Sequence, residues 1–278
     1  MNTAVKSSTA DNIKGARRRC AVVVGGSSGI GCETVLRLTE DGWNVFNISR
    51  TPCINIKVNN VCADVTEGDA AFKSMREIAK DHGLDLLVYC AGCSMAAPIE
   101  HAAESDYRYL FEVNFFGALK AVQTAIPYMK PCGGQIVLVG SLGGDIPILF
   151  DSFYSASKAA LEMLARGARQ ELKSCKIKVT ALLPGGTATG FTYKRKIYSD
   201  EESGDYAKDM NRAVEALAGM EQNGMSAEAV ADDLFKVINS DNPPLIKTCG
   251  AKNTAYRILS RMLPEKLTLY MTEKRYRQ

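Results

Sequence analysis

Six short strand-like runs, most of them apolar and several rich in β-branched residues, recur along this 278-residue chain, each separated from the next by a helix-like stretch or a turn. They are CAVVVG at 20–25, WNVFNIS at 43–49, a brief run leading to Asp64-Val65, DLLVYC at 85–90, residues 134–141 and KIKVTALL at 176–183. Nearly unbroken apolar runs of this length mark strands buried on both faces. Helical patterns lie at CETVLRLTEDG, closed by Gly42, and over about 67–81, 104–129 and 152–173. The alternation predicts an α/β fold: one domain with a doubly wound parallel sheet in three αβα layers, binding its ligand beyond the carboxyl ends of the strands. Gly25–Gly31, Ala91-Gly92, Ser141 and Pro184-Gly185 each lie just past a strand. They are expected to converge on one rim.

The first of these turns, GGSSGIG, joins a strand to a helix. Gly25, Gly29 and Gly31 let backbone approach a diphosphate, while Ser27, Ser28 and Ile30 place amide groups at the helix N-terminus, where the potential is positive. The spacing is G-x-x-x-G-x-G rather than G-x-G-x-x-G. The second strand ends at Ser49-Arg50-Thr51 with no carboxylate there, and a guanidinium at that place suits a 2′-phosphate where an acidic residue would suit a free 2′-hydroxyl. NADP(H) is therefore the expected cofactor. The alternative for Arg50 is a solvated surface arginine. Asp64 and Val65 are expected at the adenine edge.

Between Ser141 and Lys158 the chain reads SLGGDIPILFDSFYSASK. Tyr154 and Lys158 stand one helical turn apart on one face. A phenol is a weak acid, and a fixed ammonium nearby favours its ionised form and brings it towards useful proton transfer. Ser141 ends the fifth strand, where its hydroxyl could hold the oxygen that Tyr154 protonates. Asn114 lies within a long helical stretch, a place that disfavours asparagine unless it bonds something specific.

Composition narrows the chemistry. A net charge of +3 and no basic stripe argue against nucleic acid, and no apolar run approaches a membrane span. Nine scattered cysteines with no signal-peptide pattern suit reduced thiols and a cytoplasmic setting; Cys90 and Cys93 form a C-x-x-C without a second pair at zinc spacing. Two histidines leave little for a histidine-rich metal site or a Ser-His-Asp hydrolase. No metal is expected. Residues 1–17, polar and then basic, are read as a flexible tail.

Over roughly residues 18–250 this pattern resembles the short-chain dehydrogenase/reductase family, with its Rossmann-type fold. The glycine turn, Asn114, Ser141, Tyr154-x-x-x-Lys158 and the Pro-Gly after the sixth strand occur in the family's order. The resemblance implies that Tyr154 is the general acid/base, that Ser141 orients the substrate oxygen and that Lys158 holds the nicotinamide ribose and lowers the tyrosine pKa. It implies that Asn114 helps hold a water in the proton relay. Arg50 matches the family's NADP(H)-marking position, and Thr187 and Thr189 fall where the family contacts the nicotinamide amide and the diphosphate. A homodimer or homotetramer through the helices at 104–130 and 152–173 is implied as well. Two departures stand out. Val24 replaces a usual threonine, and Tyr89-Cys90-Ala91-Gly92 replaces N-N-A-G, which weakens the expected hydrogen bonding between those strands.

For the substrate, the apolar run Ile146–Phe150 either walls a pocket or packs on the core, and Phe191 lies in a lid of about 186–226 that includes a helix near 206–222. Ser141, Ile146, Phe150, Tyr154 and Phe191 are the candidate contacts. The basic amphipathic extension at 251–278 is expected to pack on the domain or a partner, touch a membrane surface, or cover a greasy pocket. These features tilt towards a bulky hydrophobic alcohol or ketone such as a hydroxysteroid. Reduction of 3-oxoacyl thioesters, sugars or quinones stays open, as does a non-catalytic NADP(H)-sensing regulator.

Overall fold

The protein is described by a computed structural model covering residues 17–54 and 57–277. The tail expected at 1–17 lies outside the described residues except for Arg17. That residue is not loose: it pairs with Asp85 at 2.8 Å and donates to the His82 carbonyl.

In chain order the elements are β1 (Cys20–Val24), α1 (Gly29–Glu40), β2 (Asn44–Ser49), β3 (Asn59–Cys62), α2 (Ala70–His82), β4 (Leu86–Tyr89) and β5 (Met95–Ala96). There follow α3 (Glu104–Phe111), a π-helical turn (Glu112–Phe116), α4 (Gly117–Met129), β6 (Gly134–Val139), α5 (Ser152–Glu171), β7 (Ile177–Leu183), β8 (Thr187–Ala188) and β9 (Lys196–Ile197). The last are α6 (Asp200–Ser203), α7 (Ala207–Gln222), β10 (Met225–Ser226), α8 (Ala227–Ile238), β11 (Ile246–Thr248), α9 (Ala251–Met262) and α10 (Glu265–Arg277). Seven strands form one parallel sheet in the order β11-β7-β6-β4-β1-β2-β3. The order reverses between β1 and its neighbours β2 and β4, which makes the switch point of a doubly wound sheet.

Two apolar layers hold the sheet. Val22, Val24, Leu87 and Leu138 pack with Phe72, Met75 and Leu161 on one face; Ala21, Val23, Leu86 and Val88 pack with Val35, Leu38, Val230 and Leu234 on the other. This two-sided burial explains why the runs of the inner strands are apolar rather than alternating, whereas the edge strand β3, NNVC, is largely exposed. The seventh strand, β11, is only three residues long, too short for a periodicity signal. Helix α8 is announced by its own cap, since the Ser226 hydroxyl accepts from the Ala229 N–H at 3.1 Å.

The asparagines missing at the fourth strand are replaced by another device. Tyr89, fully buried, sends its hydroxyl to the Val113 carbonyl at 2.6 Å, in the π-helical turn. A π turn frees carbonyls from the ordinary i+4 ladder, and the phenol satisfies one. Tyr89→Phe leaves that carbonyl unpaired in the core and should lower unfolding free energy by about 1–3 kcal/mol. Urea denaturation checks this, and an unchanged midpoint would show that the bond contributes nothing.

Candidate active site

A cavity of about 1170 Å³ opens at the carboxyl rim of the sheet and runs from the glycine turn to α10. Every residue expected to bind cofactor lines it: Gly25, Ser27, Ser28, Gly29, Ile30, Gly31, Arg50, Thr51, Asp64, Val65, Ala91, Gly92, Tyr154, Lys158, Pro184, Gly185, Thr187 and Thr189. The convergence follows from the parallel topology, which sends every β-to-α loop to the same edge.

The glycine turn is built for backbone approach. Gly25 has φ +86°, and a Cβ there would stand 2.6 Å from the Ala91 nitrogen. At Gly31 a Cβ would stand 2.2 Å from the Gly25 carbonyl oxygen. The turn is braced from β2, where buried Asn47 accepts from the Gly26 N–H at 2.9 Å. Asn47 was not singled out in the sequence; an asparagine inside an otherwise apolar strand is the signal that could have found it. Ser28, the N-cap of α1, makes no side-chain capping bond, so the first amides of the helix have no side-chain cap. A tight, helix-terminal turn with uncapped amides fits a diphosphate.

At the outer end, Arg50 is exposed and loosely held, with Nη1 3.3 Å from the Tyr109 hydroxyl. The fold also brings Asp64 to within 3.9 Å of Arg50, so the guanidinium does have a neighbouring carboxylate, contrary to the reading of the second strand alone. Asp64 is itself engaged, accepting from the Thr66 N–H and hydroxyl at 2.9 and 2.8 Å.

At the inner end lie Ser141, Tyr154 and Lys158. The Ser141 hydroxyl hydrogen-bonds the Tyr154 phenol and accepts from the Gly143 N–H at 3.0 Å. Lys158 is buried, and its ammonium donates to the Val139 carbonyl at 2.9 Å. Burial lowers the Lys158 pKa to about 8. Burial pushes the Tyr154 phenol up, and the Ser141 bond opposes that shift only in part. Here the structure departs from the helix-spacing argument: the ammonium, 5.7 Å from the ring centre, is turned to a backbone carbonyl, and desolvation dominates the phenol.

Asn114 is buried but does not line the cavity. Its amide accepts from the Cys93 N–H and donates to the Cys93 carbonyl and the Ser157 hydroxyl, each at 2.9 Å. It ties the loop after β4 to α5, so that Gly92 and Lys158 stay adjacent. Cys90 and Cys93 sit at this junction with thiols that burial pushes up to about 12 and about 11.

Of the substrate candidates, Ile146 and Phe191 line the cavity, with the Phe191 ring centre 6.0 Å from that of Tyr154. Phe150 does not. Its positive φ of 59° turns the ring into a cluster with Tyr206, and Ile148 takes the expected place on the wall. The C-terminal extension folds over the site: Thr272 and Tyr276 of α10 line the cavity, and Tyr276 packs on Ala213 and Leu217 of α7. Arg257 and Arg261 of α9 hold it down through Asp145, the latter at 2.9 Å. The apolar residues Met262 and Tyr270 remain exposed on the outer side. Among the described residues no helix is long and apolar enough to cross a membrane.

Replacing Gly31 by Ala should weaken binding of a nicotinamide dinucleotide at least ~10-fold, because the Cβ can be admitted only by moving the turn off the Gly25 carbonyl. Quenching of tyrosine and tryptophan fluorescence on titration measures it; an unchanged Kd would mean that the turn does not hold the cofactor.

Comparison with known proteins gives the chain's family. The chain is 32% identical over 233 residues, 82% of its length and 87% of the relative's, to a 3-ketodihydrosphingosine reductase of Bacteroides thetaiotaomicron. It is 31% identical over 245 residues to the NADPH-dependent 1-acyldihydroxyacetone phosphate reductase of Saccharomyces cerevisiae, covering 82% of this chain and 81% of that one. A crystal structure of a short-chain dehydrogenase from Streptomyces avermitilis superposes with TM-score 0.77 at 23% identity, covering 92% of this chain and 97% of that one. The model of the short chain dehydrogenase family matches residues 19–198, and with that rim, turn and Ser-Tyr-Lys set in place the chain belongs to the short-chain dehydrogenase/reductase family of nicotinamide-dependent oxidoreductases.

Proposed function

We propose that the protein interconverts a secondary alcohol and a ketone, using NADP(H), on a bulky and largely apolar substrate. The observation that carries this reading is one continuous cavity holding the glycine turn and Arg50 at one end and Tyr154, Ser141 and Lys158 at the other. The cofactor, when bound, supplies or accepts the hydride. Tyr154 gives the proton to the nascent alkoxide oxygen, or removes it from the alcohol, while Ser141 holds that oxygen through the hydroxyl it already shares with the phenol. A phenol held fully protonated by burial is suited to the acid role. Lys158, anchored on Val139, keeps a positive charge beside the ribose end of the site. Asn114 acts as a positioning residue through Cys93 and Ser157.

Arg50 supports NADP(H) over NAD(H), and the named cofactor of the yeast relative agrees. Both relatives are named for lipophilic carbonyl compounds, and Ile146, Ile148, Phe191, Leu217 and Met220 give this cavity an apolar wall. That wall favours a lipophilic ketone over a sugar. Phe116 and Met163, exposed in the π-helical turn before α4 and on α5, support homo-oligomer formation through those elements.

Oxidation of NADPH over a panel of long-chain ketones, steroids, acyl thioesters and sugars tests the proposal. Lipophilic ketones should be turned over with NADPH in preference to NADH. Tyr154→Phe should reduce kcat by about 10²–10⁴-fold with little change in NADPH affinity. Tight NADPH binding without turnover of any carbonyl would instead favour the sensing role.

A further inference from the structure

One turn before Tyr154, the cavity wall contains charge that an apolar ketone does not use. The side chains of Asp151 and Arg195 are 2% and 1% exposed, and that of Glu221 is 12% exposed. All three line the cavity. Arg195 Nη2 pairs with Glu221 at 2.5 Å, and Arg195 Nε donates to the Ser94 hydroxyl at 3.0 Å and lies 3.7 Å from Asp151 Oδ2. The Ser94 hydroxyl donates to Asp151 Oδ2 at 2.7 Å, and the Thr192 hydroxyl to Glu221 Oε2 at 2.7 Å. Two atoms are left over: Asp151 Oδ1 and Arg195 Nη1 have no hydrogen-bond partner of normal geometry, although the Met95 N–H also faces the Asp151 carboxylate.

Unmatched buried polar atoms cost about 1–3 kcal/mol each, so they are rare without a reason. Here one is an acceptor and the other a donor, and the group carries two carboxylates against one guanidinium. When all three are ionised, one negative charge is uncompensated. Burial accordingly pushes Asp151 up to about 7. Of the other cations lining the cavity, Arg50, Lys194, Lys252 and Arg275 are exposed, so solvent screens them, and Lys158 is turned to the Val139 carbonyl. Both carboxylates also raise the Tyr154 pKa, which places the cluster within electrostatic reach of the reacting oxygen.

We propose that Asp151 and Arg195, steadied by Glu221, Ser94 and Thr192, form a head-group subsite for an amino alcohol carried next to the ketone of a long-chain substrate. The ammonium donates to Asp151 Oδ1 and supplies the missing positive charge, while the hydroxyl oxygen accepts from Arg195 Nη1. The alkyl chain lies along Ile146, Ile148, Leu217 and Met220. The amine is a bystander: hydride enters the carbonyl carbon, the proton goes to its oxygen, and no bond to nitrogen changes. A phosphate or carboxylate head group is disfavoured by the two carboxylates. This subsite rests on the oxidoreductase reading and narrows its substrate. It agrees with the name of the Bacteroides relative, since dihydrosphingosine is a long-chain amino alcohol.

The test compares a long-chain 2-amino-1-hydroxy-3-ketone with the same 1-hydroxy-3-ketone lacking the amine, by NADPH oxidation. The wild-type protein should prefer the amine by about 10–100-fold in kcat/KM, the range of a charge-assisted hydrogen bond. In Asp151→Asn, checked for folding by NADPH binding, that preference should fall to within ~3-fold. Equal kcat/KM for the two ketones in wild type overturns the subsite whether or not the variant folds, and a preference retained in Asp151→Asn overturns the role of Asp151. Turnover of other carbonyls but of neither of these ketones overturns the subsite alone. No turnover of any carbonyl overturns the oxidoreductase reading, and the subsite with it.

Discussion

Every functional position in this protein depends on seven strands running the same way. Parallel pairing from β3 to β11 delivers each β-to-α loop to one edge, and the reversal of strand order around β1 parts the loops after β1 and β4. The gap exists only because backbone crosses it closely: Gly25 lies against Ala91, and Gly31 against Gly25, with no room for a Cβ at either glycine. Arg50, Ser141 and Pro184 follow β2, β6 and β7, and strand register brings them to that same edge.

Within that gap the dominant force is desolvation, answered by backbone and side-chain partners. Lys158 keeps its ammonium by facing the Val139 carbonyl, and Asn114 satisfies both the N–H and the carbonyl of Cys93. Tyr89 closes the carbonyl that the π-helical turn releases. Where the partners run out, at Asp151 and Arg195, the unmatched atoms belong to two residues that line the cavity. Among the described residues two other buried side-chain atoms, Arg37 Nε and Glu162 Oε2, also lack a partner, but neither residue lines the cavity. The C-terminal helices enclose the same space, with Tyr276 packed on α7 and Arg257 and Arg261 tied to Asp145.

Much of this was legible from local pattern. Apolar runs located the buried strands β1, β2, β4, β6 and β7, and the glycine turn and Tyr154 with Lys158 marked two places that the structure brings to one cavity, because each signal spans a few adjacent residues. The remainder depends on residues distant in sequence. Arg195, Glu221 and Asp151 lie far apart in the chain and meet only in the fold, and the π-helical turn at Glu112–Phe116 has no period that distinguishes it from helix. The apolar run at Ile146–Phe150 left pocket wall and core packing both open, and for Phe150, which has a positive φ, the structure shows packing, a backbone conformation that phenylalanine does not advertise. Asp64 reaches Arg50 only through the pairing of β2 with β3.

The central claim is that this one cavity brings a carbonyl carbon against the nicotinamide while Tyr154 serves its oxygen. It is tested most directly by reducing a long-chain ketone with NADPH dideuterated at nicotinamide C4 and locating the label by mass spectrometry. One deuterium on the carbinol carbon of the alcohol, and none on its oxygen, is the predicted result. An alcohol without carbon-bound deuterium would contradict direct hydride transfer and, with it, the arrangement of the site described above.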